Sequence, residues 1–141
     1  MLDHRPEQAD LSLITAVHRP EYVAEIETFC AAGGGALDLD TYAGAASWDA
    51  ALRAAGAGPQ LCDALRQGVA DLGYVAMRPP GHHAEWDQAM GFCLFNNVAV
   101  TAAALIAGGE RVAIVDWDVH HGNGTQHSFY GDDRVCLLYT S

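Results

Sequence analysis

Residues 112–122 constrain the fold more than any other part of this sequence. The segment begins with the apolar run Val-Ala-Ile-Val and continues directly into Asp-Trp-Asp-Val-His-His-Gly. A short, β-branched apolar run that ends in polar residues is typical of a buried strand. Because side chains two positions apart leave a strand on the same face, Asp118 and His120 should face one way, with Asp116 one step deeper. A carboxylate oxygen and an imidazole nitrogen on one face can begin a Zn²⁺ site.

Helix signals precede this segment. Arg19-Pro20-Glu21 predicts a helix start, with proline and an acidic residue in the first turn and an apolar stripe that runs to Cys30. Ser47 could cap a second, alanine-rich helix, which Gly56 and Gly58-Pro59 should interrupt or kink.

A strand, a helix and a strand follow in order. Residues 74–77 are predicted to form a short strand, Asn96 or Asn97 to cap a helix over 98–107, and residues 111–115 to form the next strand. This spacing predicts a βαβ unit, and therefore a parallel sheet with a right-handed crossover.

Two adjacent histidines, His82 and His83, lie just beyond the first of these strands, where parallel sheets bind their ligands. A lone loop histidine is more often structural, but a neutral imidazole paired with a buried carboxylate makes a good general base. Asp116 could be that carboxylate, because an unpaired charge directly after an apolar strand is costly. The alternative is that the acidic residues of 116–121 only cap the following turn.

Gly91-Phe92-Cys93 is a weaker signal. Gly91 allows close backbone approach, and Phe92 could line an apolar channel, although ordinary core packing is the simpler interpretation. Cys93 is expected to be a buried thiol.

Composition narrows the functional classes. A chain of 141 residues supports one hydrophobic core. The net charge is -11 and no Lys/Arg cluster exists, which argues against binding to nucleic acid or an anionic membrane. No apolar run reaches membrane-spanning length and no signal peptide is recognised, so a cytoplasmic location is expected. The four cysteines are scattered without a C-x-x-C pair, which favours free thiols in a reducing compartment.

Three ordered motifs carry a resemblance to a known family. They are Arg78-Pro79-Pro80-Gly81-His82-His83-Ala84, Gly91-Phe92-Cys93-Leu94-Phe95-Asn96-Asn97 and Asp116-Trp117-Asp118-Val119-His120-His121-Gly122-Asn123-Gly124-Thr125. From about Val17 to Val135 the chain resembles the zinc-dependent histone deacetylase family, which includes bacterial acetoin-utilisation proteins and acetylpolyamine amidohydrolases. The Arg-Pro-Pro and Asn-Asn variants are more similar to the class II and bacterial branch. The resemblance implies an α/β fold of three layers, α/β/α, with a parallel sheet like that of arginase, here truncated.

The resemblance also implies roles for individual residues. Asp118 and His120 match two of three zinc ligands. His82 matches the buried histidine that pairs with Asp116, and His83 matches the general base that takes a proton from the attacking water.

Further residues match positions around this centre. Asn123 lies where the family orients the second histidine. Gly91 and Phe92 match the tunnel for the acyl-lysine, and Asp40 matches a rim aspartate that holds the substrate backbone.

The family also binds K⁺ at two places. The implied residues are Asp116, Asp118 and His120 near the zinc, and Phe129, Asp132 and Val135 at a second site. The implied reaction hydrolyses the amide of an acetylated lysine, an acetylated polyamine or another acylated amine and releases acetate. The acidic charge mildly favours a cationic substrate.

The third zinc ligand, an aspartate, and a transition-state tyrosine lie further downstream in the family. The chain is therefore expected to be an internal piece, with residues 1–135 forming part of a deacetylase catalytic domain. Residues 136–141, Cys-Leu-Leu-Tyr-Thr-Ser, can be encoded by TGT CTC TTA TAC ACA TCT, which matches a widely used transposase sequencing adapter. We expect these six residues to be translated adapter; a different set of codons in the nucleotide sequence would contradict this.

Two alternatives remain. A manganese ureohydrolase shares the fold, but the adjacent His82 and His83 and the Asp-x-His pair suit one zinc better than a carboxylate-bridged metal pair. The other alternative is a catalytically inactive piece or binding module. Inactivity is the expected outcome for the isolated chain, because a sheet cut midway exposes strand edges and apolar surface.

Overall fold

The computed structural model describes residues 4–139, in which helices and strands are mixed along the chain. The elements are α1 (Leu11–Thr15), α2 (Pro20–Ala31), β1 (Gly34–Ala36), β2 (Tyr42–Gly44), α3 (Ser47–Arg66), α4 (Asn97–Ala107), β3 (Val112–Asp116), α5 (Asn123–Phe129) and β4 (Val135–Tyr139). Residues 140 and 141, the end of the six-residue adapter prediction, lie outside the described part. So do residues 1–3, on which the signal-peptide expectation partly depended.

Two predicted helices are confirmed with their start signals. Helix α2 has Pro20 at its first position, where the missing N–H breaks no helical hydrogen bond. Helix α4 follows Asn96, whose side-chain oxygen accepts a hydrogen bond from the Ala99 N–H at 3.1 Å. That bond satisfies one of the backbone donors at the start of the helix.

Helix α3 runs without interruption through Gly56, Gly58 and Pro59. A Cβ atom added at Gly58 would lie 1.9 Å from Thr101 Oγ1 of α4. Gly58 therefore permits close packing of α3 on α4, and the predicted interruption there is wrong. The predicted cap is also wrong, since the Ser47 hydroxyl accepts from the Gly44 N–H at 2.9 Å and makes no cap bond to α3.

The parallel strand pair differs from the predicted one. Residues 74–77 form no strand and pair with no strand within residues 4–139, and Tyr74 is 88% exposed. Instead, β3 pairs in parallel with β4, with Asp116 opposite Tyr139, and α5 is the crossover between them. The second sheet is the antiparallel pair β1–β2. A three-layer α/β/α sheet is not seen within this part of the chain.

The hydrophobic core lies among helices α1 to α4. Its largest fully buried apolar side chains are Phe95, Ile14 and Val100. By contrast, several apolar side chains on and after β3 and on β4 are exposed, including Trp117 and Leu138. No helix in residues 4–139 is long and apolar enough to cross a bilayer.

A fully buried histidine, His18, lies within this core and joins two parts of the chain. Its Nδ1 donates to the Glu85 carbonyl at 2.8 Å, and its Nε2 accepts from the Asn96 N–H at 2.9 Å. The neutral tautomer with the proton on Nδ1 satisfies both bonds, whereas a proton on Nε2 would face another N–H. Through these two hydrogen bonds, His18 connects the loop after the paired histidines to the start of α4.

We expect the stability of the chain to fall between pH 6.5 and about 4 because of His18. Burial lowers the pKa of His18 to about 4, so the unfolded state binds a proton in this range that the folded state does not. Stability rises with pH wherever the unfolded state binds more protons. The neutral His18 thus contributes about 3 kcal/mol above pH 6.5, and this is lost as pH falls through about 4.

The measurement is urea unfolding at several pH values for the wild type and for His18→Gln. The difference in unfolding free energy between the two proteins should shrink as the pH is lowered, because the variant has no imidazole to protonate. A difference that stays constant from pH 7 to pH 4.5 would contradict this prediction.

Candidate active site

The loop that carries the paired histidines lies directly on the start of α4. A Cβ atom at Gly81 would lie 2.5 Å from the Asn97 backbone nitrogen, and the Asn97 side-chain amide donates to the Pro79 carbonyl at 3.0 Å. A glycine is therefore needed where the loop meets the helix, and the histidines are held in place without a preceding strand.

His82 and Asp116 form a largely buried pair. His82 Nδ1 lies 2.8 Å from Asp116 Oδ2, and the two side chains are 17% and 16% exposed. Because an ionised carboxylate only accepts, the imidazole donates from Nδ1. A Cβ atom at Gly122 would lie 2.5 Å from the same carboxylate oxygen, so this glycine leaves room for the pair.

His83 and Asn123 form a second pair beside the first. His83 Nδ1 lies 2.7 Å from Asn123 Oδ1, and Asn123 is the first residue of α5. The ring centres of His82 and His83 are 4.1 Å apart. With its proton on Nδ1, His83 has an unprotonated Nε2 that can accept a proton.

Asp118 and His120 meet, but not on a strand. Strand β3 ends at Asp116, so the predicted reason for their shared face is wrong. A bend brings them together, with Asp118 Oδ1 accepting from the His120 N–H at 2.8 Å and lying 2.9 Å from His120 Nδ1. These hydrogen bonds from His120 lower the pKa of Asp118.

The donor chemistry of this pair fits two ligands of a zinc ion. Zinc bonds of about 2.0 Å at the tetrahedral angle separate two donor atoms by about 3.3 Å, close to the 2.9 Å between Asp118 Oδ1 and His120 Nδ1. Catalytic zinc usually has three protein ligands. Within residues 4–139 no group of three His, Cys, Asp or Glu side chains could hold a metal ion.

His83 opens onto a cavity of about 390 Å³. It is lined by Asp38, Leu39, Asp40, His83, Met90, Gly91 and Asn123. Gly91 has φ +56°, and a Cβ atom there would lie 2.3 Å from His83 Cδ2. The cavity therefore brings His83 and Asn123 together with two of the residues expected to contact substrate, Gly91 and Asp40.

The neighbouring Phe92 and Cys93 differ in burial. Phe92 is 62% exposed, so its interpretation as ordinary core is wrong, and its N–H donates to Thr41 Oγ1 at 3.0 Å. Cys93 is fully buried, as predicted, and burial raises the pKa of its thiol to about 11. A thiolate nucleophile at Cys93 is therefore disfavoured at neutral pH. All four cysteines are free.

The second set of residues expected to bind K⁺ lies together at another cavity. Phe129, Asp132 and Val135 all line a space of about 380 Å³ between α5 and β4. The Asp132 carboxylate already accepts two hydrogen bonds from the Arg134 side chain, at 2.6 and 2.8 Å, and one from the Arg134 N–H at 3.0 Å, which together lower its pKa to about 2. Any role of this cavity in cation binding stays a prediction.

Two residues beside the site were not singled out from the sequence. Glu85 contacts the Asn123 amide and lies 2.8 Å from His127 Nδ1, while His18 holds the Glu85 backbone. The contacts of the Glu85 side chain come from α5, about forty residues further along, so no local pattern reveals them. The one available signal was the position of Glu85, two residues after the paired histidines.

Two imidazoles, each hydrogen-bonded through Nδ1 to a carboxylate or an amide, lie side by side on a mixed α/β frame, an arrangement whose chemistry suits proton transfer. The chain matches the model of the histone deacetylase domain over residues 1–140. It belongs to the histone deacetylase domain family.

Relatives of this chain come from bacteria, archaea, plants and nematodes. It is 46% identical over 135 residues to the histone deacetylase-like amidohydrolase of Pseudomonas aeruginosa, covering 94% of this chain and 35% of that protein. It is 45% identical over 136 residues to a probable deacetylase of Methanothermobacter thermautotrophicus, covering 94% of this chain and 40% of that protein. The crystal structure of the HDA15 HD domain superposes with a TM-score of 0.93 at 40% identity, covering 98% of this chain and 40% of that one. The chain thus spans well under half the length of these relatives.

Proposed function

We propose that this chain is the part of a zinc-dependent deacetylase that supplies the general base and two metal ligands. The whole protein would hydrolyse the amide of an acetylated lysine or a related acylated amine and release acetate. The observation that carries this proposal is the adjacent arrangement of the two pairs, His82–Asp116 and His83–Asn123, with His83 on a cavity.

In this proposal His83 takes a proton from the attacking water. Its Nδ1 donates to Asn123, so Nε2 is the atom that accepts. His82 is held by Asp116 in a partly buried pair, which orients its ring to return a proton to the departing amine.

Asp118 and His120 would hold the zinc together with a further ligand. When bound, Zn²⁺ polarises the acyl carbonyl and lowers the pKa of water. K⁺ bound near Asp116, Asp118 and His120, and at the cavity of Phe129, belongs to the same proposal.

The substrate's acyl chain would enter past Gly91 and Phe92, and Asp40 would hold the substrate backbone at the rim. Asp40 and His83 line one cavity, which supports this arrangement. The three-layer α/β/α fold with a parallel sheet is proposed for the whole domain, with β3 as one of its strands. The cytoplasmic location is part of the proposal too.

The test is acetate release by the protein expressed from its complete reading frame, with an acetyl-lysine peptide and an acetylated polyamine as substrates. We expect hydrolysis of at least one of them, loss of activity with a chelator and recovery with Zn²⁺. We expect no turnover from the 141-residue chain by itself, because residues 4–139 offer two candidate ligands where three are usual.

Metal analysis of the same protein separates this proposal from a manganese ureohydrolase. About one zinc per chain supports the deacetylase. Two manganese ions per chain, with hydrolysis of a guanidino substrate and none of the acetylated amines, would overturn it.

A further inference from the structure

The side-chain amide of Asn123 is oriented by its surroundings. Its NH₂ group donates to the His83 carbonyl at 3.2 Å and to Glu85 Oε1, and it lies 3.5 Å from Met90 Sδ. All three are acceptors, whereas the amide oxygen faces His83 Nδ1. The surroundings therefore favour one of the two possible orientations of the amide.

This orientation decides which nitrogen of His83 carries the proton. With the amide oxygen facing Nδ1, the ring is protonated on Nδ1 and Nε2 can act as a base. If the amide turned over, its NH₂ would face Nδ1, and the proton would move to Nε2. The ring would then have no basic nitrogen left for the substrate.

Glu85 is itself held firmly. Its backbone N–H donates to the Gln88 carbonyl at 2.9 Å, its carbonyl accepts from buried His18, and its side chain is 18% exposed. The carboxylate also contacts the exposed His127, whose Nδ1 lies 2.8 and 2.9 Å from its two oxygens, but the backbone bonds and the burial hold Glu85 without this contact. A fixed carboxylate that only accepts is well suited to holding an amide NH₂.

We propose that Glu85 is a positioning residue for His83, acting through Asn123: its carboxylate fixes the Asn123 amide so that His83 carries its proton on Nδ1. The inference rests on the proposed function for its effect on turnover. Its effect on the His83 tautomer is independent of any activity.

Two substitutions at Glu85 test the inference in the complete protein. Glu85→Leu removes the acceptor, and hydrogen bonds to charged groups commonly bias such a choice by about tenfold or more. We expect kcat to fall about tenfold with KM changed less than twofold. Glu85→Gln keeps a carbonyl that can accept from Asn123, so its kcat should stay within about threefold of the wild type.

His127→Ala is the matched control. It removes the other partner of the Glu85 carboxylate and leaves Asn123 untouched, and its side chain is 64% exposed. We expect its kcat to stay within about twofold of the wild type. Equal losses of kcat in His127→Ala and Glu85→Leu would mean that turnover depends on the Glu85–His127 ion pair and not on the contact between Glu85 and Asn123. That result would overturn the inference.

The ¹⁵N resonances of the His83 ring give a readout that a merely structural role would not change. In protein labelled on histidine nitrogen, wild type and Glu85→Gln should show protonated Nδ1. Glu85→Leu should show His83 protonated predominantly on Nε2, as the expected tenfold fall in kcat requires. An unchanged His83 tautomer in folded Glu85→Leu overturns the inference, even if activity falls.

Asn123→Asp provides a second test that does not depend on Glu85→Leu folding by itself. A carboxylate at position 123 accepts from His83 Nδ1 with either oxygen, so no neighbouring residue is needed to fix which way round it lies. Adding Glu85→Leu to Asn123→Asp should therefore cause no loss of kcat, and it removes repulsion between two carboxylates. If Glu85→Leu lowered kcat as much in the Asn123→Asp protein as it does in the wild type, the inference would be overturned. A wild type that is inactive on all acetylated amines would overturn the proposed function instead. The His83 tautomer measurement would then still test the role of Glu85.

Discussion

Replacing His83 by alanine in the complete protein should lower kcat about a thousandfold and change KM little. Proton transfer by a positioned side chain contributes about 10²- to 10⁴-fold to enzymatic rates. His83 lines the cavity, and its Nδ1 bond to Asn123 leaves Nε2 available as a base. Steady-state kinetics of acetate release from an acetyl-lysine peptide measures the effect.

His127→Ala, the same substitution at an exposed histidine of α5, is the control and should remain active. Thermal unfolding of both variants shows whether a loss of rate reflects a loss of folded protein. A fall of less than tenfold in His83→Ala would remove His83 as the general base. A fall confined to KM would instead indicate a role in substrate binding.

Sequence reasoning succeeded where one local pattern determines the outcome. Pro20 at a helix start and Asn96 as a cap each depend on a few neighbouring residues, and both are confirmed. The apolar run before Asp116 likewise becomes β3, one residue later than predicted. The motif spacing also identified the family, because three ordered motifs are far more specific than any single one.

Sequence reasoning failed where contacts between residues far apart in the chain determine the local structure. Residues 74–77 have an apolar composition suited to a strand, but a strand needs a hydrogen-bonded neighbour, which no local pattern guarantees. From the sequence Gly58 looks like a helix breaker, but its role is to leave room for Thr101 of α4, which packs against it. Glu85 and His18 were missed for the same reason, since their partners lie far away in sequence.

Gly124→Ala should destabilise the chain by about 3 kcal/mol or more and disrupt the candidate site. A Cβ atom at Gly124 would lie 2.1 Å from the Ala84 carbonyl oxygen and 2.9 Å from the His83 carbonyl carbon. Both are backbone atoms, which cannot rotate away as a flexible side chain can. Overpacking a buried position typically costs about 1–3 kcal/mol, and more when the neighbours cannot yield.

The steric clash would displace the first turn of α5, which is hydrogen-bonded to the histidine loop on both sides of Gly124. Asn123 accepts from His83, and the Thr125 N–H donates to the His82 carbonyl at 3.2 Å. Moving α5 away to make room would stretch both bonds, so the His83 tautomer should lose its preference for Nδ1 even in molecules that remain folded. Urea unfolding measures the stability, and the ¹⁵N resonances of His83 measure the site.

Gly44→Ala is the matched control, because a Cβ atom there meets nothing within 4 Å and its backbone does not require glycine. We expect a change of less than about 1 kcal/mol for this variant. Equal stability of the two variants would show that the loop can move away from α5. The contact between Asn123 and His83 could then change its geometry without cost. In that case the free protein would not hold the His83 proton on Nδ1, and only the substrate-bound state could do so.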